Sequence, residues 1–573
     1  MKRNFTNSLT VCLIAAIFAA VPLTITVSRL EAAAYPPIRG GENGLVLSSH
    51  RLADEIGQSV LDNGGNAVDA AVAVGYALAV VLPAAGNVGG GGFAIIHNAG
   101  RETAAIDFRE KAPLAASRDM YLDKDGNVIP EASTVGYKAA GVPGTVAGLN
   151  AMLAKYGTKP LAEIIAPSIK LAEEGFATNE FGEITMADYA ERFARFESSR
   201  KYFLKPDGST YKEGELFVQK DLAEVLKRIA VSGDEGFYRG TTAKLIADDM
   251  AKNGGLITLK DLEEYNVVWR APVSGKYRGY DIISMSPPSS GGTHLLQILN
   301  VMSCADIGAL GFASSDTLHI MAEAMRYAYA DRSEYMGDPD FVKVPVDRLM
   351  SMEYAKSIYD KIVAAGKKAA SSSEVKPGLS EINEGKNTTH YSIVDKDGNA
   401  VSVTYTINDW YGSGAAVMGA GFLLNNEMDD FSAKTGVPNI YGLVGSDANS
   451  IAPGKRPLSS MSPSLVLKDG KVFIVAGSPG GSRIITTTLQ VISNVIDHKM
   501  NISEAVEAPR IHMQWLPDEL RVEAHGVVKD VSDKLAGMGY TVSVQEPMGD
   551  VNAILIDPET DEIYGSHDPR REF

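Results

Sequence analysis

The chain has 573 residues, 45% of them hydrophobic and 22% charged, which is a globular composition long enough for two to four domains and a core that needs no covalent staples. Acidic residues outnumber basic ones by 71 to 54, giving a formal net charge of -17, and this argues against nucleic acid or an anionic membrane as a partner. Two cysteines are present; Cys12 lies in the N-terminal leader, so only Cys304 remains and no internal disulfide is expected.

At the N-terminus, Lys2 and Arg3 precede an apolar run from Val11 to Leu23, broken by Pro22, and then Ala32-Ala33-Ala34. That is the layout of a secretory signal peptide cleaved after Ala34. The run of roughly 13 residues is shorter than the ~20 of a membrane span. An exported chain without a stable membrane anchor is therefore expected, periplasmic in a Gram-negative cell and otherwise secreted.

Residues 45–48 read as a strand and 51–61 as a helix with a polar face. Asn63-Gly64-Gly65-Asn66 then breaks the chain and caps a second helix, 67–81, which is Ala- and Val-rich nearly all round and so belongs in a core. Gly89 to Gly92 lead into a short apolar strand, 93–96. Four glycines let the backbone pass close to something, either a ligand or a neighbouring segment in a tight turn. No ordered G-x-G-x-x-G opens a helix, which argues against a dinucleotide. The strand 104–109 ends on Arg109. An arginine there is ordinarily a surface ion-pair partner; it gains a role where a substrate carries a carboxylate, which guanidinium grips with two N–H groups.

From 144 to 265 the pattern is mainly helical, with helices at 145–155, 161–174, 221–231 and 241–253 and an N-terminal box at Thr258-Leu259-Lys260-Asp261. Strands at 273–277 and 280–285 and helices at 293–303 and 316–330 follow. Asp338-Pro339-Asp340 lacks the further spaced oxygens of a calcium loop and reads as a turn. Residues 366–386 lack aromatics and periodicity and read as an exposed linker.

Immediately after it, 390–394 and 400–407 form two strand patterns around Asp395-Lys396-Asp397-Gly398-Asn399. If Asp395 pairs with Asn399 across a three-residue turn, the register sets Thr388 opposite Thr406; a two-residue Asp397-Gly398 turn leaves them diagonal neighbours. Asn387-Thr388-Thr389 satisfies the N-x-[ST] glycosylation pattern. It also allows chemistry. A threonine heading a strand can attack the carbonyl of Asn387, shift the chain from amide to ester and be freed by water. Thr388 would then hold a hydroxyl and a free α-amino group of pKa about 7.7–8.0, near enough to neutral to act as its base. An ordinary linker ahead of a hairpin has the same local pattern, so this stretch does not decide by itself.

Further along stand Asn408, the acidic run Asn425-Asn426-Glu427-Met428-Asp429-Asp430-Phe431-Ser432, a Gly- and Pro-rich loop at 436–445 containing Tyr441, and Arg456-Pro457-Leu458-Ser459-Ser460-Met461-Ser462-Pro463. A hairpin at 465–476 ends in Gly477-Ser478-Pro479-Gly480-Gly481-Ser482-Arg483, which opens a long helix, 484–496. Near the C-terminus lies Gly565-Ser566-His567-Asp568-Pro569-Arg570. Together with Asp107-Phe108-Arg109-Glu110 and Thr388-Thr389-His390-Tyr391-Ser392, these motifs strongly resemble, in order, the bacterial γ-glutamyltranspeptidases over essentially the whole chain beyond the leader.

The resemblance implies an α/β fold of the N-terminal-nucleophile type: a four-layer αββα sandwich, with two stacked, mostly antiparallel sheets between helical layers. It implies a signal peptide at 1–34, a large subunit at 35–387 and a small subunit at 388–573, intertwined as a heterodimer after self-cleavage between Asn387 and Thr388. Thr388 would be the nucleophile, its own amino group the base, and Thr406 the residue that orients it. Gly480 and Gly481 match the oxyanion hole, where two N–H groups at a helix start, unobstructed by side chains, can face developing negative charge. Arg109, Ser459 and Ser460 match carboxylate contacts, Asn408, Glu427 and Asp430 match ammonium contacts, and Tyr441 matches the aromatic of a lid loop. Some relatives carry Gln where Glu427 stands; either offers an acceptor oxygen.

The implied reaction is attack by Thr388 on the γ-amide of glutathione or a related compound. The γ-glutamyl ester then passes to water or to an amino acid or peptide. No metal or organic cofactor is implied, and the sequence has no H-E-x-x-H, cysteine cluster or G-x-S-x-G. A glutaryl or β-lactam acylase, or an enzyme processing poly-γ-glutamate, would share Thr388 and differ in pocket and lid. An exported solute-binding protein would instead remain one chain.

Overall fold

Strands that read as apolar runs need cover on both faces. In the computed structural model, which describes residues 36–375 and 388–570, each large sheet has the other sheet on one side and helices on the other. The six-stranded sheet runs Gly44–Leu47, Thr389–Asp395, Ala400–Thr406, Gly91–Asn98, Glu102–Asp107 and Val268–Arg270. The seven-stranded sheet runs Ile38–Arg39, Ile563–His567, Asn552–Ile556, Lys471–Ala476, Ser464–Lys468, Tyr280–Ser284 and Val273–Tyr277. Successive strands are antiparallel throughout both.

Alternate residues of a strand face opposite layers, and the packing follows that rule. Leu45, Leu47, Phe93 and Ile95 meet Ile283, Leu465, Val475 and Ile554 between the sheets. Val46, Ala94, Ile96 and Val403 turn outward onto one helical layer, and Ile282, Val466 and Ile474 turn onto the other. The expected αββα sandwich results. Its first helical layer is built on Ala67–Val81, buried at every position and started by a capping box in which the Asn66 side chain accepts from Val68 and Asp69. Its second includes Gly291–Met302, Ser315–Tyr335 and Ile484–Ile496. No helix of the described residues is long and apolar enough to cross a membrane.

The turn at Asp395 fixes the register of the site. Asp395 N–H donates to the Asn399 carbonyl at 3.0 Å, and the Asp395 carboxylate accepts from Asp397 N and Asn399 N at 3.0 Å each. The three-residue alternative is the one adopted. Thr389 therefore pairs with Tyr405, and one step further Thr388 faces Thr406.

Several expectations change. The helix expected to end at 330 continues to Tyr335, because the polar residues that read as its end are buried and bonded: Asp331 accepts from Gln297 and Tyr354. Helices Glu180–Asp188, Glu197–Phe203 and Met352–Ala364 and strand Val268–Arg270 were not foreseen. The exposed-linker reading fails at Ser372 and Val375 and holds at Ser373 and Glu374 between them. Ser372 and Val375 are buried, since the Trp515 indole N–H reaches both of their carbonyls. The glycines at 89–92 make room for the chain's own backbone: a Cβ on Gly90 would lie 2.0 Å from the Thr406 carbonyl oxygen, and one on Gly92 2.5 Å from that of Thr404. The leader and Asn387 lie outside the described residues.

Candidate active site

The hairpin delivers two hydroxyls to one end of adjacent central strands. Thr388 Oγ1 donates to Thr406 Oγ1 at 3.4 Å, long for a hydroxyl pair. Thr406 Oγ1 also accepts the Asn408 N–H at 2.9 Å. Asn408 has φ of 72°, a left-handed conformation that a non-glycine residue keeps only when its surroundings hold it. They do: its Nδ2 donates to the Asn426 carbonyl at 3.0 Å, and the Tyr441 hydroxyl donates to its carbonyl at 2.8 Å and to its Oδ1.

His390 stands two residues from Thr388. Burial pushes its imidazole down to about 3, and its ring nitrogens are bonded to Thr404 and Ser392. It is a neutral, bonded imidazole in the sheet below Thr388, unsuited to act as a base.

Across the cavity, the Gly477–Arg483 loop reaches the helix Ile484–Ile496 through left-handed Gly480 (φ 132°) and Gly481 (φ 54°). Glycine is required at Gly481: a Cβ would lie 2.5 Å from the Tyr441 ring. The tyrosine thus lies flat against the loop that would hold an oxyanion.

Arg109 overturns the surface ion-pair reading. It lies just past the strand Glu102–Asp107 and is 1% exposed, because its N–H donates back to Asp107 at 2.9 Å and turns the side chain inward. Its guanidinium meets Glu427 and Asp430, with Glu110 at 3.8 Å, and also donates to the carbonyls of Pro457 and Leu458 at 3.3 Å. Burial alone would lower its pKa; the charges of Glu427, Asp430 and Glu110 more than offset that and hold it above the ordinary guanidinium value. Burial likewise pushes the Glu110 carboxyl up to about 7 and that of Glu427 well above the carboxylate range, against the opposing pull of Arg109. Burial thus favours the protonated forms of Glu110 and Glu427.

Thr388, Thr406, Arg109, Asn408, Glu427, Asp430, Tyr441, Ser459, Ser460 and Gly481 all line one cavity of about 20 Å³, room for about one water. Gly480 is the neighbour of that lining. A larger cavity of about 700 Å³ lies near helices Arg51–Asp62 and Leu161–Glu174, but none of the site residues expected from sequence lines it. Two residues of the site escaped sequence reasoning. Glu110 was read only as part of a motif. Arg332 also lines the cavity, and its signal was helical spacing: it follows the buried Met325 and Ala328 by seven and four residues.

A threonine heading a central strand of an αββα sandwich, opposite a glycine pair that opens a helix, defines the N-terminal-nucleophile hydrolases. The family model for γ-glutamyltranspeptidase matches residues 53–573. A glutathione hydrolase proenzyme of Escherichia coli K12 is 52% identical, over 96% of this chain and 94% of its own length. The crystal structure of Helicobacter pylori γ-glutamyltranspeptidase is 61% identical with a TM-score of 0.59, covering 61% of this chain and 99% of that one. A cephalosporin acylase from Bacillus halodurans has the same fold at 28% identity, with a TM-score of 0.81 over 94% of this chain and 97% of its own. The chain belongs to the γ-glutamyltranspeptidase family.

Proposed function

We propose that the chain is an exported, self-processing γ-glutamyl hydrolase and transferase that acts on glutathione and related γ-glutamyl compounds. The observation that carries this reading is the set of polar groups that share a cavity with Thr388. Donors from Arg109, Ser459 and Ser460 and acceptors from Asn408, Glu427 and Asp430 line it together, which suits a carbon that bears both a carboxylate and an ammonium. A glutaryl group has no ammonium, so if its carboxylate drew Arg109 away from Glu427 and Asp430, nothing on the ligand would replace the lost charge, at substantial cost. That disfavours the acylase alternative.

In the first reaction Thr388 Oγ1 attacks the Asn387 carbonyl, the Thr388 nitrogen leaves, and water hydrolyses the resulting ester. This gives subunits 35–387 and 388–573. The strand Thr389–Asp395 is hydrogen-bonded on one side to Gly44–Leu47 of the large subunit, which supports a heterodimer that stays together after the cut.

In the second reaction the freed α-amino group takes the Thr388 proton as the hydroxyl attacks the γ-amide. Gly480 and Gly481 N–H groups face the oxyanion, and the amine leaves with the proton. Water, an amino acid or a peptide then takes the γ-glutamyl group from Thr388. The leader directs export, to the periplasm in a Gram-negative cell.

N-terminal sequencing of the purified protein tests this. Two fragments are expected, the smaller beginning at Thr388, with release of 4-nitroaniline from its γ-glutamyl anilide. Thr388→Ala should stay uncut and inactive. A stable single chain with full activity would overturn the reading.

A further inference from the structure

The helix Ser315–Tyr335 brings a second guanidinium to the nucleophile's cavity, and its environment is unlike that of Arg109. Arg332 is 5% exposed. Its Nε donates to Ser290 Oγ at 2.9 Å and its Nη2 to Ser460 Oγ at 3.1 Å. It makes no ion pair with a carboxylate among the described residues, whereas Arg109 has three carboxyl groups around it. Both arginines line the cavity of Thr388. Burial and the like charge of Arg109 lower the Arg332 pKa to about 10, with Tyr329 and Asp430 opposing, so it is a cation at neutral pH.

A buried cation without a counter-ion is costly. Bracing Ser290 and Ser460 needs two N–H donors but no net positive charge. The surrounding hydroxyls also point to an anion. Ser290 Oγ gives its own hydrogen to the Ser459 carbonyl at 2.7 Å. Ser460 Oγ accepts from Arg332, and Ser459 Oγ accepts the Met461 N–H at 3.1 Å. The hydrogens of these last two hydroxyls have no acceptor among the described residues.

We infer that Arg332 is a specificity-determining residue of the carboxylate subsite. It occupies one lone pair of Ser460, whose hydroxyl hydrogen is left for the substrate's α-carboxylate, and it adds a positive charge that is not already paired with acids, as that of Arg109 is. This deepens the γ-glutamyl reading and rests on it.

The test compares Arg332→Gln with the unaltered enzyme on three 4-nitroanilides: γ-glutamyl, glutaryl (carboxylate without ammonium) and 4-aminobutyryl (ammonium without carboxylate). For the γ-glutamyl donor KM should rise about 10- to 100-fold, the scale of a lost hydrogen bond to a charged group, with kcat within about threefold. The glutaryl anilide should lose kcat/KM by a similar factor. The 4-aminobutyryl anilide should be unaffected within about twofold. Arg332→Lys should recover part of the loss. Equal losses on all three anilides, or an unchanged KM for the γ-glutamyl donor, would overturn the inference. If Arg332→Gln does not mature, Arg332→Lys carries the same comparison, with a severalfold KM rise confined to the donors that hold a carboxylate. An unaltered enzyme that cleaves glutaryl but not γ-glutamyl anilide would refute the substrate reading and leave the Arg332 comparison intact, run between glutaryl and butyryl anilides.

Discussion

Replacing Thr406 by valine keeps the shape of the side chain and removes one oxygen with two duties. That oxygen accepts the Asn408 N–H at 2.9 Å and meets Thr388 Oγ1 at 3.4 Å. The first loss leaves a buried amide without an acceptor, worth about 1–3 kcal/mol. The second removes a long, weak bond, worth about 1 kcal/mol. The two effects act together, because an Asn408 released from its φ of 72° no longer holds its side chain in place at the cavity wall. Their sum, about 2–4 kcal/mol, predicts a fall of roughly 30- to 1,000-fold in kcat/KM. Thr406→Ser retains the oxygen and should stay within about threefold. The assay is release of 4-nitroaniline from the γ-glutamyl donor, with the extent of cutting at Thr388 followed on a gel so that slow maturation is not read as slow turnover. A valine variant within about threefold of the unaltered enzyme would refute the orienting role.

Gly481→Ala places a methyl 2.5 Å from the Tyr441 ring at a φ of 54°, so the ring and the neighbouring N–H groups must move. The expected loss in kcat is about 10²–10³-fold, the cost of removing one oxyanion donor, and single-turnover kinetics with normal rates would count against the oxyanion assignment. A pH effect follows from Glu110, raised by burial, against Arg109, from 4.5 to about 7. The folded chain keeps a proton that the unfolded chain gives up at lower pH, so this contribution is present below about 4.5 and is lost as pH rises through about 7. In the uncut Thr388→Ala chain, the melting temperature should therefore fall between pH 5 and 7. Glu110→Gln should flatten that fall, and identical slopes in the two chains would place the proton elsewhere.

The hairpin was legible down to a choice between two turns, either of which brings the two threonines together. The structure selects the three-residue loop, in which the Asp395 carboxylate accepts two backbone N–H groups of its own turn, and the threonine pairing then follows by counting. The buried helix Ala67–Val81 was legible for the same kind of reason: no polar face means no solvent face. The charges were harder. Arg109 looks exposed in sequence because the three acids that neutralise it include two from more than 300 residues away. Arg332 was passed over because Asp331-Arg332-Ser333 has the composition of a helix end, which outweighed its spacing from Met325 and Ala328, and tertiary partners such as Gln297 and Ser290 keep this stretch inside. Periodicity reports which face is buried; it does not report which polar groups will find partners there.

Those partners also explain how so small a cavity can be selective. The Asn408 Oδ1 that would accept a substrate ammonium is occupied by the Tyr441 hydroxyl, and the Arg109 donors that would take a carboxylate are occupied by Glu427 and Asp430. Entry of a γ-glutamyl head group is thus an exchange of internal partners for external ones, and it must move Tyr441, since about 20 Å³ does not hold the ligand. A donor with both charges can replace what it displaces. One that lacks its ammonium or its carboxylate separates Arg109 from its acids, or Tyr441 from Asn408, and leaves a buried group unpaired. Discrimination then comes from the cost of an incomplete exchange, which in a buried site exceeds what contact area alone provides.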